Sequence, residues 1–257
     1  HAFIRQTGIQ HRRGNIVVPE RKTARPDGST WGMALLALTL AGCGGGGGPD
    51  PFPSHFNTEV VWQADIPAAG QSTCFDFDAG SEVPTCLGNA WDLKITGRQD
   101  DAPMLFTNSG SSGTGQGGVY VRRAANGTIQ QVLMKWFHLE QWKDGATNPA
   151  NREPLPADAY VADANGSLLN VPATLRGLDE DHGWFIKYTD ASRAQAAGFA
   201  PLAGVLGADP ERGALIRGGE GNNYARMRLK RVSYQDPKNV NSAQRWTIQF
   251  YAQLPGR

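Results

Sequence analysis

The sequence predicts an all-β protein: a single antiparallel β-rich domain with one or two short helices, preceded by a leader segment and a Gly/Pro tether. Three observations carry this. The 257 residues include 32 glycines and 16 prolines, a composition that favours many turns and short strands over long helices. Apolar and polar residues alternate in short runs, most clearly where Trp91, Leu93 and Ile95 interleave with Asp92, Lys94 and Thr96, the period-2 pattern of a half-buried strand. Asn126-Gly127 sits between two strand-like runs, a strong hairpin signal. With 40% hydrophobic residues the chain can bury a core, and one domain of about 200 residues suits its length. The 25 basic and 24 acidic residues leave a formal charge of +1, so no basic excess points to nucleic acid as a partner.

Arg12, Arg13, Arg21, Lys22 and Arg25 precede an apolar run over residues 31–41. That run has the length of a signal-peptide core and falls short of the roughly 20 residues needed to span a bilayer. Leu40-Ala41-Gly42-Cys43 resembles the bacterial lipobox, which implies that residues 1–42 are removed and Cys43 is acylated. The alternative is a buried helix followed by a free thiol. Five glycines, Gly44 to Gly48, then lead into Pro49-Asp50-Pro51-Phe52-Pro53, so residues 43–54 read as a flexible tether with a stiffer end. A lipoprotein of the bacterial cell envelope, held to the outer membrane through Cys43, is the expectation.

Residues 55–257 form the expected β domain. Strands are predicted over 58–64, 73–77, 91–96 and 118–122, with turns at Pro67 and Gly70 between the first two. Cys74 and Cys86 flank a stretch with Gly80 and Pro84 at its middle; in an oxidising compartment they would staple a hairpin. Two unrelated thiols are the alternative, and zinc lacks a second Cys or His pair at ligand spacing. A hairpin is expected across Asn126-Gly127, joining 119–123 to 129–133. Residues 133–142 suggest a short helix ended by Gly145 and Pro149. A second hairpin is expected across Asn165-Gly166, pairing 160–163 with 168–171. Residues 183–188 read as strand, 190–197 as a short helix and 200–222 as irregular. The alternating run 224–234 returns through Asp236-Pro237 to 245–254 as a C-terminal hairpin.

Between two of these strands lies the most distinctive stretch, Thr107-Asn108-Ser109-Gly110-Ser111-Ser112-Gly113-Thr114-Gly115-Gln116-Gly117-Gly118-Val119. A phosphate-binding loop would need Gly-Lys-Ser/Thr, or G-x-G-x-x-G opening a helix, and neither is present. Trp91-Asp92 followed by Thr-Asn-Ser-Gly and a glycine run ending Gly-Gly-Val resembles the HmuY family of haem-binding bacterial lipoproteins. Weaker echoes occur at Trp62, at Phe75-Asp76-Phe77 and over 246–251. The resemblance implies an all-β fold, haem as cofactor, and delivery to a TonB-dependent outer-membrane receptor.

No enzyme motif emerges, and a non-catalytic role is expected. Gly110-Ser111-Ser112-Gly113 misses the spacing of a nucleophile elbow. Asp100-Asp101 and Asp179-Glu180-Asp181 read as solvated loop acids. Haem requires aromatic walls and one or two axial ligands. His138, within Trp136-Phe137-His138-Leu139, and His182, within Asp181-His182-Gly183-Trp184-Phe185, are the candidate haem-binding pair. Met104, Met134 and Met227 are alternative ligands, and His55 reads as exposed beside the tether. The competing expectation is a β-rich surface adhesion or protein-interaction lipoprotein without cofactor.

Overall fold

The computed structural model describes residues 55–99 and 101–253, all within one compact unit. Cys43, the leader over 1–42 and the tether over 43–54 lie outside the described residues. In chain order the first elements are β1 (Thr58–Asp65), β2 (Ser72–Asp76), β3 (Ser81–Val83), β4 (Leu93–Thr96), β5 (Met104–Thr107), β6 (Gly118–Tyr120), β7 (Arg122–Arg123) and β8 (Ile129–Gln131). Next come β9 (Met134–Lys135), α1 (Trp136–Leu139), β10 (Tyr160–Val161), β11 (Thr174–Arg176), β12 (Asp179–Asp181) and β13 (Phe185–Tyr188). The last are α2 (Ala191–Ala196), β14 (Val205–Ala208), β15 (Arg212–Arg217), β16 (Tyr224–Tyr234) and β17 (Gln244–Gln253). The protein is all-β, with two short helices among the described residues, as the glycine and proline content and the alternating runs predict.

A seven-stranded antiparallel sheet forms the centre, ordered β1-β17-β16-β15-β6-β10, with β9 also paired to β15. The long hairpin β16–β17 is its spine, and β1 lies along β17 from Thr58 opposite Ala252 to Asp65 opposite Arg245. A four-stranded sheet, β3-β2-β4-β5, packs on one face of it. The contact is aromatic: Trp62 of β1 stacks on Phe75 of β2 at 4.9 Å between ring centres, and Phe75 stacks on Phe250 of β17 at 5.5 Å. A third sheet, β11-β12-β13-β14, joins the same core where Phe185 meets the fully buried Trp246 edge to face. Inward positions on these strands are mostly Val, Ile, Leu, Ala, Met, Phe and Trp, and where residues alternate the pattern fixes which face is buried.

Cys74 and Cys86 are joined by a disulfide, their Cα atoms 5.5 Å apart, which ties β2 to the segment that follows β3. Replacing both by serine is expected to cost about 2–4 kcal/mol, because opening this short loop returns entropy to the unfolded chain. Urea unfolding of the double variant against the oxidised protein measures that loss.

Three sequence expectations are corrected. The helix over 133–142 is a single turn, α1, because Met134 and Lys135 are drawn into pairing with β15 and Lys135 provides no side-chain cap. Residues 168–171 form no strand. Asn170 instead brackets Leu105, accepting from its N–H at 2.8 Å and donating to its carbonyl at 2.9 Å, while β10 pairs with β6. Residues 200–222 are not irregular, since β14 and β15 lie there and β15 is central to the largest sheet. Their glycines sit where neighbours leave no room for a side chain: Gly207 is covered by Phe199, and Gly213 by Met227, Leu139 and Trp136.

Candidate functional site

The glycine run proves to be a packed knot. Asn108, fully buried at the end of β5, donates to the carbonyls of Gly88 at 3.0 Å and Trp91 at 2.8 Å, and accepts from the Gly115 N–H at 2.9 Å. The loop wraps this side chain so closely that a Cβ at Gly113, Gly115 or Gly117 would strike Asn108 itself. Its amides are used internally: Ser111 donates to Asp163, Gly113 to Ser109, Gln116 to Gly219 and Gly117 to Asn108. Lys94 closes one side by donating to the Ser112 carbonyl at 2.8 Å. Such a loop builds structure and does not cradle an anion.

The acids at 179–181 are not solvated loop residues. They form β12, where Asp179 is buried against Arg193 at 2.6 Å and Asp181 against Arg212 at 3.1 Å. The Arg193 guanidinium holds the Asp179 carboxyl below the usual range. Asp101 pairs with Arg98 at 2.8 Å on the surface.

His182 lines an open cleft of about 290 Å³, in the turn from β12 to β13. Gly183 makes that turn with φ +79°, its N–H donating to Asp181 at 2.8 Å. The imidazole stacks on Phe185 at 4.7 Å between ring centres, and its Nε2 lies 3.3 Å from Glu180 Oε2. A carboxylate on one ring nitrogen orients an imidazole and makes the other nitrogen a better donor. Trp184, Phe185 and Trp246 form the apolar wall, with Trp184 anchored through its indole N–H to the Leu169 carbonyl at 2.7 Å. Met104 and Leu105 of β5 line the same cleft, and Arg98 stands at its rim. Arg98, Asp101, Ala102 and Pro103 also border an adjoining cavity of about 590 Å³.

His138 lies elsewhere. It is exposed on α1, its ring against Phe137 at 3.8 Å, and lines neither cavity. His55 is exposed, whereas Met134 and Met227 are buried in the core. Of the expected ligands, His182 and Met104 are therefore brought together and the others are not.

The sequence pattern did not single out a second polar cluster. Asp76 and Asp78 lie at the tip of the β2–β3 hairpin, Asp92 just before β4, and Asn223 just before β16. Asp92 is 2% exposed and accepts from the Phe77 N–H at 2.9 Å and the Gly219 N–H at 2.8 Å. Burial pushes its carboxyl up to about 7, and burial likewise lifts Asp78 to about 6. The Asp76-x-Asp78 spacing was the available signal, but Asp92 and Asn223 join it only through the fold.

No protein-family model matches the chain, and no curated protein matches it. The described residues thus present two features with chemical potential: an aromatic cleft bearing His182 and Met104, and a buried carboxylate cluster.

Proposed function

We propose that this chain is a lipid-anchored haem-binding protein of the bacterial outer membrane that captures haem and passes it to a TonB-dependent receptor, without catalysis. The observation that carries this reading is the convergence of His182, Met104, Trp184, Phe185 and Trp246 on one open cleft. The residues fit the group by type. Imidazole and thioether are axial donors for haem iron, and flat aromatic walls suit a flat macrocycle. Arg98 at the rim offers a cation to its carboxylates. Bound haem would supply an iron centre, which His182 and Met104 would hold. The chain's own part is to hold the His182 ring through Glu180 and Phe185, to exclude water with the two tryptophans, and to leave one side open for transfer. Lipid attachment at Cys43 is part of the same proposal, supported by the resemblance of residues 40–43 to a lipobox.

A haem titration of the full chain, followed by absorbance, tests this. The expected result is a saturable, red-shifted Soret band with low-spin visible bands. In His182→Ala the low-spin bands are lost and affinity falls by roughly tenfold or more, the scale on which metal sites respond to losing support. Met104→Ala alters the spectrum, and His138→Ala leaves it unchanged. An unsaturable change in the wild type, or a Soret band indifferent to His182, overturns the reading.

A second reading has its own observation. Leu175 and Leu178, on β11 and its turn into β12, are 79% and 69% exposed. Two large apolar side chains held out together suit a protein-interaction lipoprotein without cofactor.

A further inference from the structure

Three acids and one amide from distant parts of the chain meet beneath the β2–β3 hairpin. One carboxylate oxygen each from Asp76, Asp78 and Asp92 lies within 4.8 Å of the others. Two oxygen ligands on opposite sides of a calcium ion, each at 2.3–2.6 Å, would stand about 4.6–5.2 Å apart. The spacing leaves one cation within reach of all three oxygens.

Asn223 makes this more than an acidic cluster. It is 1% exposed, and its Nδ2 donates to Asp78 Oδ2 at 2.5 Å and lies 3.4 Å from Asp92 Oδ1. Its carbonyl oxygen, Oδ1, is buried and finds no hydrogen-bond partner among the described residues. Such an orphaned acceptor is costly unless something satisfies it. Asn223 Oδ1 and Asp92 Oδ1 both face Gly218, each 2.3 Å from where its Cβ would stand, so that side of the cluster is closed to a side chain. A half-turn of the amide would also bring Oδ1 to the side now facing Asp78, and the two ends of an amide are nearly equal in shape. Asp78 Oδ1 is a second buried oxygen with no hydrogen-bond partner among the described residues. Asp92, by contrast, is fixed by the Phe77 and Gly219 amides, so it cannot turn away from its neighbours.

We propose that Asp76, Asp78, Asp92 and Asn223 form a calcium site that clamps the β2–β3 hairpin to the turn between β15 and β16. The donors are all oxygen, which selects a hard cation over zinc, copper or iron. Calcium takes six to eight oxygens in flexible geometry, whereas magnesium demands a near-ideal octahedron and keeps most of its waters, so calcium is the ion assigned to this set of protein oxygens. Three carboxylates and a carbonyl leave room for water to complete a coordination number of six to eight. Bound calcium would relieve the mutual repulsion of the acids and give both orphaned oxygens a partner. The site shares no residue with the His182 cleft, so the haem reading and this one stand or fall separately.

The test is calcium titration of the full chain after treatment with a chelator. Calorimetry is expected to show one saturable ion, and Tm to rise by about 5–10 °C at a hundredfold excess over Kd. Terbium, a calcium stand-in, is expected to luminesce on tryptophan excitation through Trp91, the neighbour of Asp92, and to be displaced by calcium. Asp78→Asn is expected to abolish all three responses while melting in chelator no lower than the wild type, because it removes a buried like charge. The wild-type terbium signal decides the matter even where that variant folds poorly. No heat, no luminescence and no Tm shift at about 10 mM calcium, above the weakest extracellular calcium modules, would overturn the proposal. A magnesium response equal to that of calcium would overturn the choice of ion.

Discussion

Asn108→Ala is expected to destabilise the protein by about 2–4 kcal/mol, because the buried Trp91 carbonyl, with the part-buried Gly115 N–H and Gly88 carbonyl, loses its partner. Each unsatisfied buried group costs about 1–3 kcal/mol, and the void left by the amide adds to that. A loss of this size is a large share of the roughly 5–15 kcal/mol that holds a domain together. The side chain is the post around which residues 109–117 are wound, so the damage should extend to the β5–β6 connection. Urea unfolding gives the free energy, and hydrogen exchange at Gly115 and Gly117 shows whether the loop opens. A cost below about 1 kcal/mol would mean that the glycine packing, and not the amide, sets the loop.

In chelator, stability is expected to fall as pH rises from about 4 to about 7. Burial raises the Asp92 carboxyl to about 7 in the folded state, against 3.8 for the ordinary group. A raised carboxyl favours the folded state while it is protonated. That contribution is complete below the ordinary value and is lost as pH climbs through the folded value. The loss from Asp92 is on the order of 4 kcal/mol. Asp78, raised to about 6, acts in the same direction, though the two are close neighbours and their effects do not simply add. Asp65 and Asp179 work oppositely, each held below the ordinary range by an arginine, so their contribution fades only as pH drops under about 4. Denaturant unfolding at pH 5 and pH 8 with chelator present measures the slope, and a flat or rising profile between them would remove Asp92 as its source.

The strands were legible where burial is one-sided. The alternation in β4 follows directly from one face meeting the core, the C-terminal hairpin β16–β17 was legible from its residue types although 225–227 and 248–250 are buried in succession, and the Asn126-Gly127 turn sits where β7 meets β8. β15, covered on both faces, was not legible. Residues 212–217 run Arg-Gly-Ala-Leu-Ile-Arg with no alternation, because β15 lies inside the largest sheet with a glycine pressed against Trp136 and Leu139. The hairpin expected after Asn165-Gly166 failed for a different reason: a side chain, Asn170, takes the hydrogen bonds that a strand would have taken. The cleft was half legible. His182 stood out through its aromatic neighbours, but Met104 joins it from a strand far upstream, and only the packing of β5 beside the β12–β13 turn pairs them. The carboxylate cluster was invisible for the same reason, since its members arrive from three segments.

The placement of β17 between β1 and β16 has a consequence for the order of events during synthesis. β1 is made early and β17 last among the described strands, yet they pair along their length, from Thr58 opposite Ala252 to Asp65 opposite Arg245. Until residues 244–253 have left the ribosome, β1 has no neighbour and Trp62 has no Phe250 behind Phe75. Closing so long a separation carries a loop entropy that local hairpins do not, which sets folding in the slow, millisecond-to-second class. The central sheet can therefore close on β1 only after the last described strand has been made, whereas the two four-stranded sheets pair strands that are near neighbours in sequence.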